Sequence, residues 1–273
     1  MARRRAPGTL ISPPPGRPVP RLALAACSRD EFRRSFVAPA APVVIEGVAS
    51  SWPASIRWTL PALRERFAEA EVQIMRAPGG RVDNTGRGGT SSDPSTLGRY
   101  LEALAAGALD PGYLVTRWEA LPEALRAEVR WPELCGDPRW SRSTLWLGPR
   151  GIVSPLHFDV PDNLYVVVRG RKRFTLIPPR DSWNVRPHGL LSGQAQYARL
   201  DPERPEAEPR YAGAHPWVAE LGDGDALYIP RFWWHHARGL ELTFAVNFWW
   251  ASGAGAWLAR AAEGWKRLRG LSR

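Results

Sequence analysis

Residues 241–250, ELTFAVNFWW, decide the fold. Side chains alternate between the two faces of a β-strand, so this stretch presents two different surfaces. One face is large and apolar and carries Leu242, Phe244, Val246, Phe248 and Trp250. The other face is smaller and more polar and carries Thr243, Ala245, Asn247 and Trp249. Such two-sided strands are typical of a barrel or jelly roll whose interior holds a ligand.

The sequence from Leu145 to Trp250 reads as a series of short strands separated by Gly, Pro and Asp turns. Residues 163–169 and 172–177 flank Gly170-Arg171, which is the spacing of a tight hairpin. Further strands are predicted at residues 226–229, 233–238 and 241–250. We therefore predict a mainly β protein with peripheral helices.

The first half of the chain is predicted to contain short helices. Ser28 and Glu31 form a capping-box pattern that opens a helix through about residue 36. Thr59 caps a second helix, and Asp93-Pro94 begins a third. Residues 42–47 are a β-branched run ended by glycine, which indicates a strand.

Two polar stretches are predicted to lie at the surface. The glycine-rich residues 78–89 lack the Gly-Lys-Ser/Thr ending of a phosphate loop, and they indicate a mobile loop that could act as a substrate lid. Residues 179–216 are rich in proline and charge, which indicates a solvated linker with a docking role as the alternative. His188 and His215 lie in this linker and are predicted to be surface residues.

Composition limits the class of protein. The 273 residues are 44% hydrophobic and 23% charged, which allows a sizeable core, and no apolar run is long enough to cross a bilayer. Lys and Arg (37) outnumber Asp and Glu (27), and this net charge of +10 favours acidic partners. The two cysteines cannot form a disulfide framework, so we expect a reducing cytoplasm. The abundance of Ala, Arg, Pro and Gly suggests a GC-rich bacterial genome. Residues 1–27 are basic and proline-rich, which predicts a flexible arm.

Three side chains indicate a metal site. His157 and Asp159 are two residues apart and share a face if the segment is extended. His235 lies in a very apolar stretch, where a buried imidazole needs a partner. Two histidines and one carboxylate on neighbouring strands form the facial triad of non-haem Fe(II) oxygenases. The alternatives are a surface His-x-Asp pair and a core histidine that bonds a backbone carbonyl.

Lys172 indicates an anionic ligand. Its position in the strand 172–177 points it to the face of Phe174 and Leu176, and a lysine inside an apolar barrel needs an anionic partner. A bound dicarboxylate would supply that partner, and Ser154 and Asn163 could add a hydroxyl and an amide. The alternative is an exposed lysine that keeps its charge in water.

These motifs together resemble the cupin-like JmjC hydroxylases, the group that includes the factor-inhibiting-HIF asparaginyl hydroxylase. The matching stretches are residues 145–151, 154–159, Asn163, 170–174, 224–230, 233–236 and 246–249, with 41–47 and 52–53 upstream. The resemblance covers roughly residues 28–252 and implies that this region is a cupin-like JmjC catalytic domain. Residues 253–273 are then a carboxy-terminal helix, on which Trp257 and Trp265 could pack against the barrel.

The resemblance implies a double-stranded β-helix, a jelly roll of the cupin and JmjC type. It implies Fe(II) bound by His157, Asp159 and His235, with His235 rather than His236 as the ligand. It also implies 2-oxoglutarate as cosubstrate, with its distal carboxylate on Lys172 and a hydroxyl from Ser154, where relatives often have Thr. The family positions that line the cosubstrate pocket correspond to Asn163, Asn247 and Trp249.

The function implied by the resemblance is hydroxylation of a side chain of a protein substrate, with succinate and CO₂ as co-products. The alternatives are a tRNA or small-metabolite hydroxylase of the same chemistry, a demethylase, and a non-catalytic cupin-like binding protein. We expect no membrane association. The short carboxy-terminal extension leaves both a monomer and a homodimer open.

Overall fold

Two β-sheets face each other in the computed structural model, which describes residues 16–82, 91–108, 110–189, 192, 194–252, 256–257, 260–261 and 264. The strands are β1 (Arg17–Pro18), β2 (Arg21–Ala23), β3 (Val43–Glu46), β4 (Glu71–Met75), β5 (Ser92–Thr96), β6 (Tyr113–Arg117), β7 (Trp140–Gly148), β8 (Val153–Phe158), β9 (Asp162–Arg169), β10 (Lys172–Ile177), β11 (Trp217–Leu221), β12 (Ala226–Ile229), β13 (Trp234–Gly239) and β14 (Thr243–Ala251). One sheet has five strands in the order β1-β11-β10-β13-β8, and the other has nine in the order β2-β3-β12-β9-β14-β7-β6-β4-β5.

The eight strands β7–β14 supply four antiparallel strands to each sheet, which is the arrangement of a jelly roll. The interior between the sheets is filled by one apolar cluster that includes Tyr165, Phe174, Leu176, Leu227 and Ala245. The predicted mainly β jelly-roll fold is therefore confirmed.

Short helices cover the outer face of the nine-stranded sheet. They are α1 (Arg29–Phe32), α2 (Pro53–Arg57), α3 (Leu60–Phe67), α4 (Leu97–Ala105) and α5 (Glu123–Arg126). A further helix, α6 (Ser182–Val185), packs on the five-stranded sheet instead. The large apolar residues of β14, such as Phe244 and Val246, pack with Trp58 and Phe32 in this outer cluster. Ala245 instead joins the interior cluster, as the alternation in residues 241–250 predicts.

The helix starts follow the predicted caps with one exception. Ser28 accepts from the backbone N–H of Glu31, and Thr59 accepts from that of Ala62. The first helix passes into a π-helical turn at Arg33–Val37. The prediction that a helix begins at Asp93-Pro94 is wrong, because Ser92–Thr96 pairs with β4 and the helix starts only after its cap, Thr96.

The predicted hairpin around Gly170-Arg171 is also wrong. β9 pairs with β12 and β14 in the nine-stranded sheet, whereas β10 pairs with β11 and β13 in the five-stranded sheet. The tight turn carries the chain from one sheet to the other. Gly170 has a φ of 91°, and a Cβ there would lie 2.0 Å from the carbonyl oxygen of Leu242, so only glycine fits this crossing.

The predicted flexible arm is ordered from Gly16 onward. β1 pairs in parallel with β11, and β2 pairs in parallel with β3, so the segment joins the edges of both sheets. Arg21 forms ion pairs with Glu46 and Asp225, each at 2.8 Å. Residues 1–15 lie outside the described part of the chain.

The segment 179–216 is packed against the protein, so the prediction of a solvated linker is wrong. Leu200 and Tyr211 join Ile177 and Trp234 in a cluster on the outer face of the five-stranded sheet. Residues 196–198 bond to the free edge of β8, where Phe158 N donates to Gln196 O at 3.0 Å and Ala198 N donates to Leu156 O at 2.9 Å. The prediction failed because it was based on the charged and proline residues of the segment and did not consider its few apolar residues, which are buried.

Two further predictions fall partly outside the described residues. In the predicted lid, residues 83–89 are not described, while Pro78–Gly80 forms a 3-10 turn and Arg81 pairs with Val153. In the predicted carboxy-terminal helix, positions 256, 257, 260, 261 and 264 are helical. Trp257 is 80% exposed, so it does not pack on the barrel. Trp265 lies outside the described residues. No helix among the described residues is long and apolar enough to span a bilayer.

Candidate active site

Two adjacent strands of the five-stranded sheet place the predicted histidines side by side. β8 and β13 are antiparallel, with His157 directly opposite His235 and Ser154 opposite Ala237. An extra residue in β8 between these two pairs forms a bulge. Since His235 and Ala237 share a face, the bulge brings Ser154 to the same face as His157. Lys172 lies opposite Gly239, and therefore also points into the interior.

His157, Asp159 and His235 converge at one end of this interior. Each offers a donor atom, and the three donor atoms lie within 4.8 Å of one another. His235 Nε2 is 3.6 Å from Asp159 Oδ2, and the two imidazole centroids are 4.2 Å apart. The predicted metal-ligand residues are therefore brought together.

Backbone carbonyls fix the tautomer of both histidines. The Nδ1 of His157 is 2.7 Å from Pro155 O, and that of His235 is 3.0 Å from Trp233 O. A carbonyl can only accept, so each Nδ1 carries the hydrogen and each Nε2 presents a lone pair. Two imidazole lone pairs and one carboxylate oxygen are a donor set that suits Fe(II), so these residues fit the ion of a non-haem iron site.

Polar side chains of the nine-stranded sheet hold the Asp159 carboxylate. Trp249 Nε1 donates to Asp159 Oδ2 at 2.8 Å, and Asn163 Nδ2 approaches the same oxygen at 3.5 Å. Asn247 donates to Asn163 Oδ1 at 3.2 Å and accepts from Trp146 Nε1 at 2.8 Å. The predicted pocket residues Asn163, Asn247 and Trp249 thus form a connected chain that orients the carboxylate.

Lys172 is buried further inside the barrel, with 1% of its surface exposed. Its Nζ donates to the hydroxyls of Tyr113 at 2.5 Å and Tyr165 at 2.8 Å, and lies 4.9 Å from the centroid of each ring. Burial lowers the pKa of Lys172 to about 7. Burial raises the pKa of both tyrosines, which therefore stay neutral.

Sequence reasoning missed the two tyrosines. Tyr165 could have been found, because it is two residues after Asn163 and so shares its face of β9. Tyr113 gave no such signal. It lies on β6, far from the motifs in sequence, and its contact with Lys172 depends on the pairing of β6 with β7.

His236 points to the opposite face of the sheet, into a second group of charged residues. Arg238 forms a two-pronged ion pair with Glu203, and Arg81 pairs with Asp201 at 2.6 Å. Burial lowers the pKa of His236 to about 4, so its imidazole is neutral. Two guanidiniums already balance the two carboxylates, and a divalent cation here would lie beside two positive charges. We interpret this group as a structural ion-pair network.

The other two histidines lie away from both groups. His215 is exposed and its Nδ1 is 3.1 Å from Asp181 Oδ2. His188 is half-buried, and its backbone N–H donates to Tyr197 O. His215 agrees with the prediction of a surface residue, whereas His188 is only partly exposed.

Comparison with known proteins places the chain in a family. The sequence profile of the cupin-like domain matches residues 29–255, and the chain belongs to this family. Its relatives identify it as a member of the JmjC type, whose enzymes are 2-oxoglutarate-dependent oxygenases that use Fe(II).

Three relatives show the range of this group. Lysine-specific demethylase 8 of Danio rerio is 32% identical over 250 residues, covering 86% of this chain and 58% of the relative. The human bifunctional peptidase and (3S)-lysyl hydroxylase JMJD7 is 29% identical, covering 80% of this chain and 79% of the relative. Human tRNA wybutosine-synthesizing protein 5 is 26% identical, covering 84% of this chain and 76% of the relative. The chain thus spans little more than half of the first of these proteins. These eukaryotic relatives do not bear on the predicted bacterial source.

Proposed function

We propose that this protein is an Fe(II)- and 2-oxoglutarate-dependent oxygenase that hydroxylates a side chain of a protein substrate, with succinate and CO₂ as co-products. One observation carries this proposal. Two histidine Nε2 atoms and a carboxylate oxygen converge at one end of the barrel interior, which also contains a buried lysine. Family membership supports the same chemistry.

His157, Asp159 and His235 would hold the metal in this proposal. Bound Fe(II) supplies the redox chemistry by which O₂ oxidises 2-oxoglutarate and an oxygen atom is inserted into a substrate C–H bond. By accepting from Nδ1, the carbonyls of Pro155 and Trp233 would leave the Nε2 atom of each neutral imidazole to bind the metal. The indole of Trp249 and the amide of Asn163 orient the carboxylate.

Lys172 would bind the distal carboxylate of 2-oxoglutarate. Its ammonium is the one lysine charge that faces the interior in the described part of the chain, and Tyr113 and Tyr165 hold it in place. Ser154 shares the interior face of the neighbouring strand and would donate its hydroxyl to the same carboxylate. Lys172 is buried among the rings of Tyr113, Tyr165 and Phe174, and a low-dielectric environment of this kind would strengthen the ion pair.

Substitution of the ligands tests the proposal. We expect Asp159→Ala and His235→Ala each to abolish release of succinate from 2-oxoglutarate, while circular dichroism shows an intact fold. His215→Ala is the matched control, because His215 is exposed and distant, and it should keep wild-type turnover. Normal turnover by the Asp159 variant would show that this carboxylate does not hold the metal.

Substitution of the lysine tests the cosubstrate site separately. Lys172→Ala removes the charge that would pair with the distal carboxylate, so we expect the KM for 2-oxoglutarate to rise at least about tenfold. Steady-state assays of succinate release over a range of 2-oxoglutarate concentrations measure this change. An unchanged KM would place the distal carboxylate elsewhere.

The substrate class rests on weaker support. Two of the three relatives are named for a modified lysine, which favours a protein substrate. A tRNA substrate is the second candidate, because the third relative is named for tRNA modification and this chain has a net charge of +10.

Fractionated cell material distinguishes these substrates. Protein, tRNA and metabolite fractions would be incubated with the enzyme, Fe(II), ascorbate and 2-oxoglutarate, and then searched by mass spectrometry for the gain of one oxygen. We expect the protein fraction to stimulate succinate release and to acquire the oxygen. Gain in the tRNA fraction alone would support the second candidate, and no metal binding at all would indicate a non-catalytic protein.

A further inference from the structure

The interior lysine has no negatively charged partner in the part of the chain that the structure describes. The polar atoms bonded to Lys172 Nζ are the two phenol oxygens of Tyr113 and Tyr165, and the ring of Phe174 lies 6.0 Å away. A phenol oxygen accepts a hydrogen bond but does not neutralise an ammonium. The ammonium is therefore buried without an opposite charge beside it.

The strands packed around Lys172 confirm this. Its cross-strand neighbours are Leu221 on β11 and Gly239 on β13, neither of which can ionise. The tyrosines on β6 and β9 stay neutral because burial raises their pKa values. His157, Asp159 and His235 are gathered at the other end of the interior, where the metal would bind.

Burial of an unpaired ammonium favours its neutral form. This effect lowers the pKa of Lys172 to about 7, with burial as its cause. Without a ligand, a large fraction of Lys172 therefore carries no charge at the pH of a cell. A carboxylate at ion-pair distance has the opposite effect, because it favours the charged form.

We propose that Lys172 takes up one proton from solvent when a dicarboxylate binds, so that the site accepts 2-oxoglutarate and a proton together. The proton moves from water or buffer to Nζ, and the resulting ammonium pairs with the distal carboxylate. No covalent bond changes. This inference rests on the proposed function, since it takes 2-oxoglutarate as the ligand.

The inference fixes the sign of the pH dependence. Below about pH 7 the lysine already carries its proton, and affinity for 2-oxoglutarate does not change with pH on its account. Above about pH 7 the proton must be taken up, so affinity falls by about tenfold per pH unit until the pKa of the complex is reached. If the lysine stayed charged over this whole pH range, the affinity for 2-oxoglutarate would not fall with pH on its account.

Calorimetry measures the proton directly. Protein loaded with Mn(II), which prevents turnover, would be titrated with 2-oxoglutarate at pH 6 and pH 8 in buffers that differ in ionisation enthalpy. We expect uptake of close to one proton per ligand at pH 8 and of little at pH 6. Binding at pH 8 without proton uptake would overturn the inference.

Two controls assign the proton to Lys172. The ligand 2-oxopentanoate has the same chain length without the distal carboxylate, so it should bind with no proton uptake. The variant Lys172→Arg keeps a permanent charge and should bind 2-oxoglutarate with no uptake at pH 8. Equal uptake with 2-oxopentanoate would assign the proton to another group and contradict the inference even if the variant fails to fold.

The two proposals fail in different ways. If 2-oxoglutarate does not bind to the Mn(II)-loaded protein at any pH, the proposed function is wrong. If it binds with constant affinity between pH 6 and pH 8.5, the proposed function stands and the proton linkage is wrong.

Discussion

Asp159 shows how single side chains would determine the properties of the proposed metal site. Its Oδ2 accepts from the indole of Trp249, which lies on the opposite sheet. Such a hydrogen bond fixes the rotamer of a ligand carboxylate and places it toward the metal before the metal arrives. The bond also joins the two sheets across the mouth of the barrel.

Removing this donor tests its contribution. Trp249→Phe keeps an aromatic ring and deletes the N–H, so we expect the dissociation constant of the bound metal to rise about 10- to 100-fold. Titration of the metal-free protein with Co(II), followed by absorption, measures the constant. Trp183→Phe is the control, because Trp183 is 73% exposed. An unchanged constant for Trp249→Phe would show that Asp159 is oriented without it.

Lys172 is expected to bind ligand at the expense of stability. Its pKa in the folded protein lies below the ordinary value of 10.5, so the unfolded chain holds the extra proton between about pH 7 and pH 10.5. The free energy of unfolding should therefore increase with pH across this window. Lys172→Met removes the buried charge, and we expect it to stabilise the ligand-free protein at pH 7 by on the order of 1 kcal/mol.

Urea unfolding at pH 7 and pH 9 measures both effects. The stability advantage of the methionine variant over wild type should shrink as the pH rises. The wild-type protein is destabilised less by its buried lysine at high pH, whereas the variant has no lysine at this position. A variant that is less stable than wild type at both pH values would show that the tyrosine contacts outweigh the buried charge.

At the level of elements, the segment 179–216 stabilises the five-stranded sheet through its charges as well as its apolar residues. Glu203, whose side chain is 9% exposed, pairs with Arg238 on β13. Burial acts to raise the pKa of Glu203, but the hydrogen bonds from Arg238 and the nearby positive charges lower it below its usual value. The charged pair therefore fastens the segment to the sheet that carries His235.

The depressed pKa gives a pH dependence of stability. The contribution of Glu203 is present above its unfolded pKa of about 4.5 and is lost as the pH falls through its lower folded pKa. We expect Glu203→Gln to lower the free energy of unfolding by about 1–3 kcal/mol at pH 7 and by less near pH 3. Denaturant unfolding measures this, with Glu206→Gln, an exposed position of the same segment, as the control. A loss that is equal at both pH values would contradict the role of the charge.

The elements also show what the sequence could and could not predict. Alternation within one strand is local, so the faces of β14 and the inward direction of Lys172 were predicted correctly. The partner of a strand is not local, and the Gly170 turn therefore read as a hairpin although it connects two sheets. For the same reason, the sequence did not predict the contact of Tyr113 with Lys172 or the packing of residues 196–198 on β8.

In the whole molecule, residues 17–23 hold the two sheets together at one edge. The chain runs from β1 on the five-stranded sheet to β2 on the nine-stranded sheet, and the side chain of Val19 is buried in the interior between them. Arg17 lies 4.4 Å from the ring centroid of Trp217, which adds a cation–π contact on the first sheet. Residues 17–23, which we call the strap, thus close one side of the jelly roll.

Deleting the strap tests its contribution. A chain that starts at Leu24 loses the burial of Val19 and exposes the edges of β11 and β3, compared with a chain that starts at Gly16. We expect its Tm to be lower by at least about 5 °C and its tendency to aggregate to be greater. Differential scanning calorimetry measures the Tm, and equal values for the two chains would show that the sheets hold together without the strap.

The alternation of β13 limits how this gene can change. His235 faces the proposed metal site and His236 faces Glu203, so neighbouring positions of one strand belong to two different groups of residues. Inserting one residue between Trp234 and His235 would turn the imidazole of His235 outward and that of His236 toward the proposed metal site. A change of chain length at this point would therefore damage the proposed site as much as the loss of His235 itself.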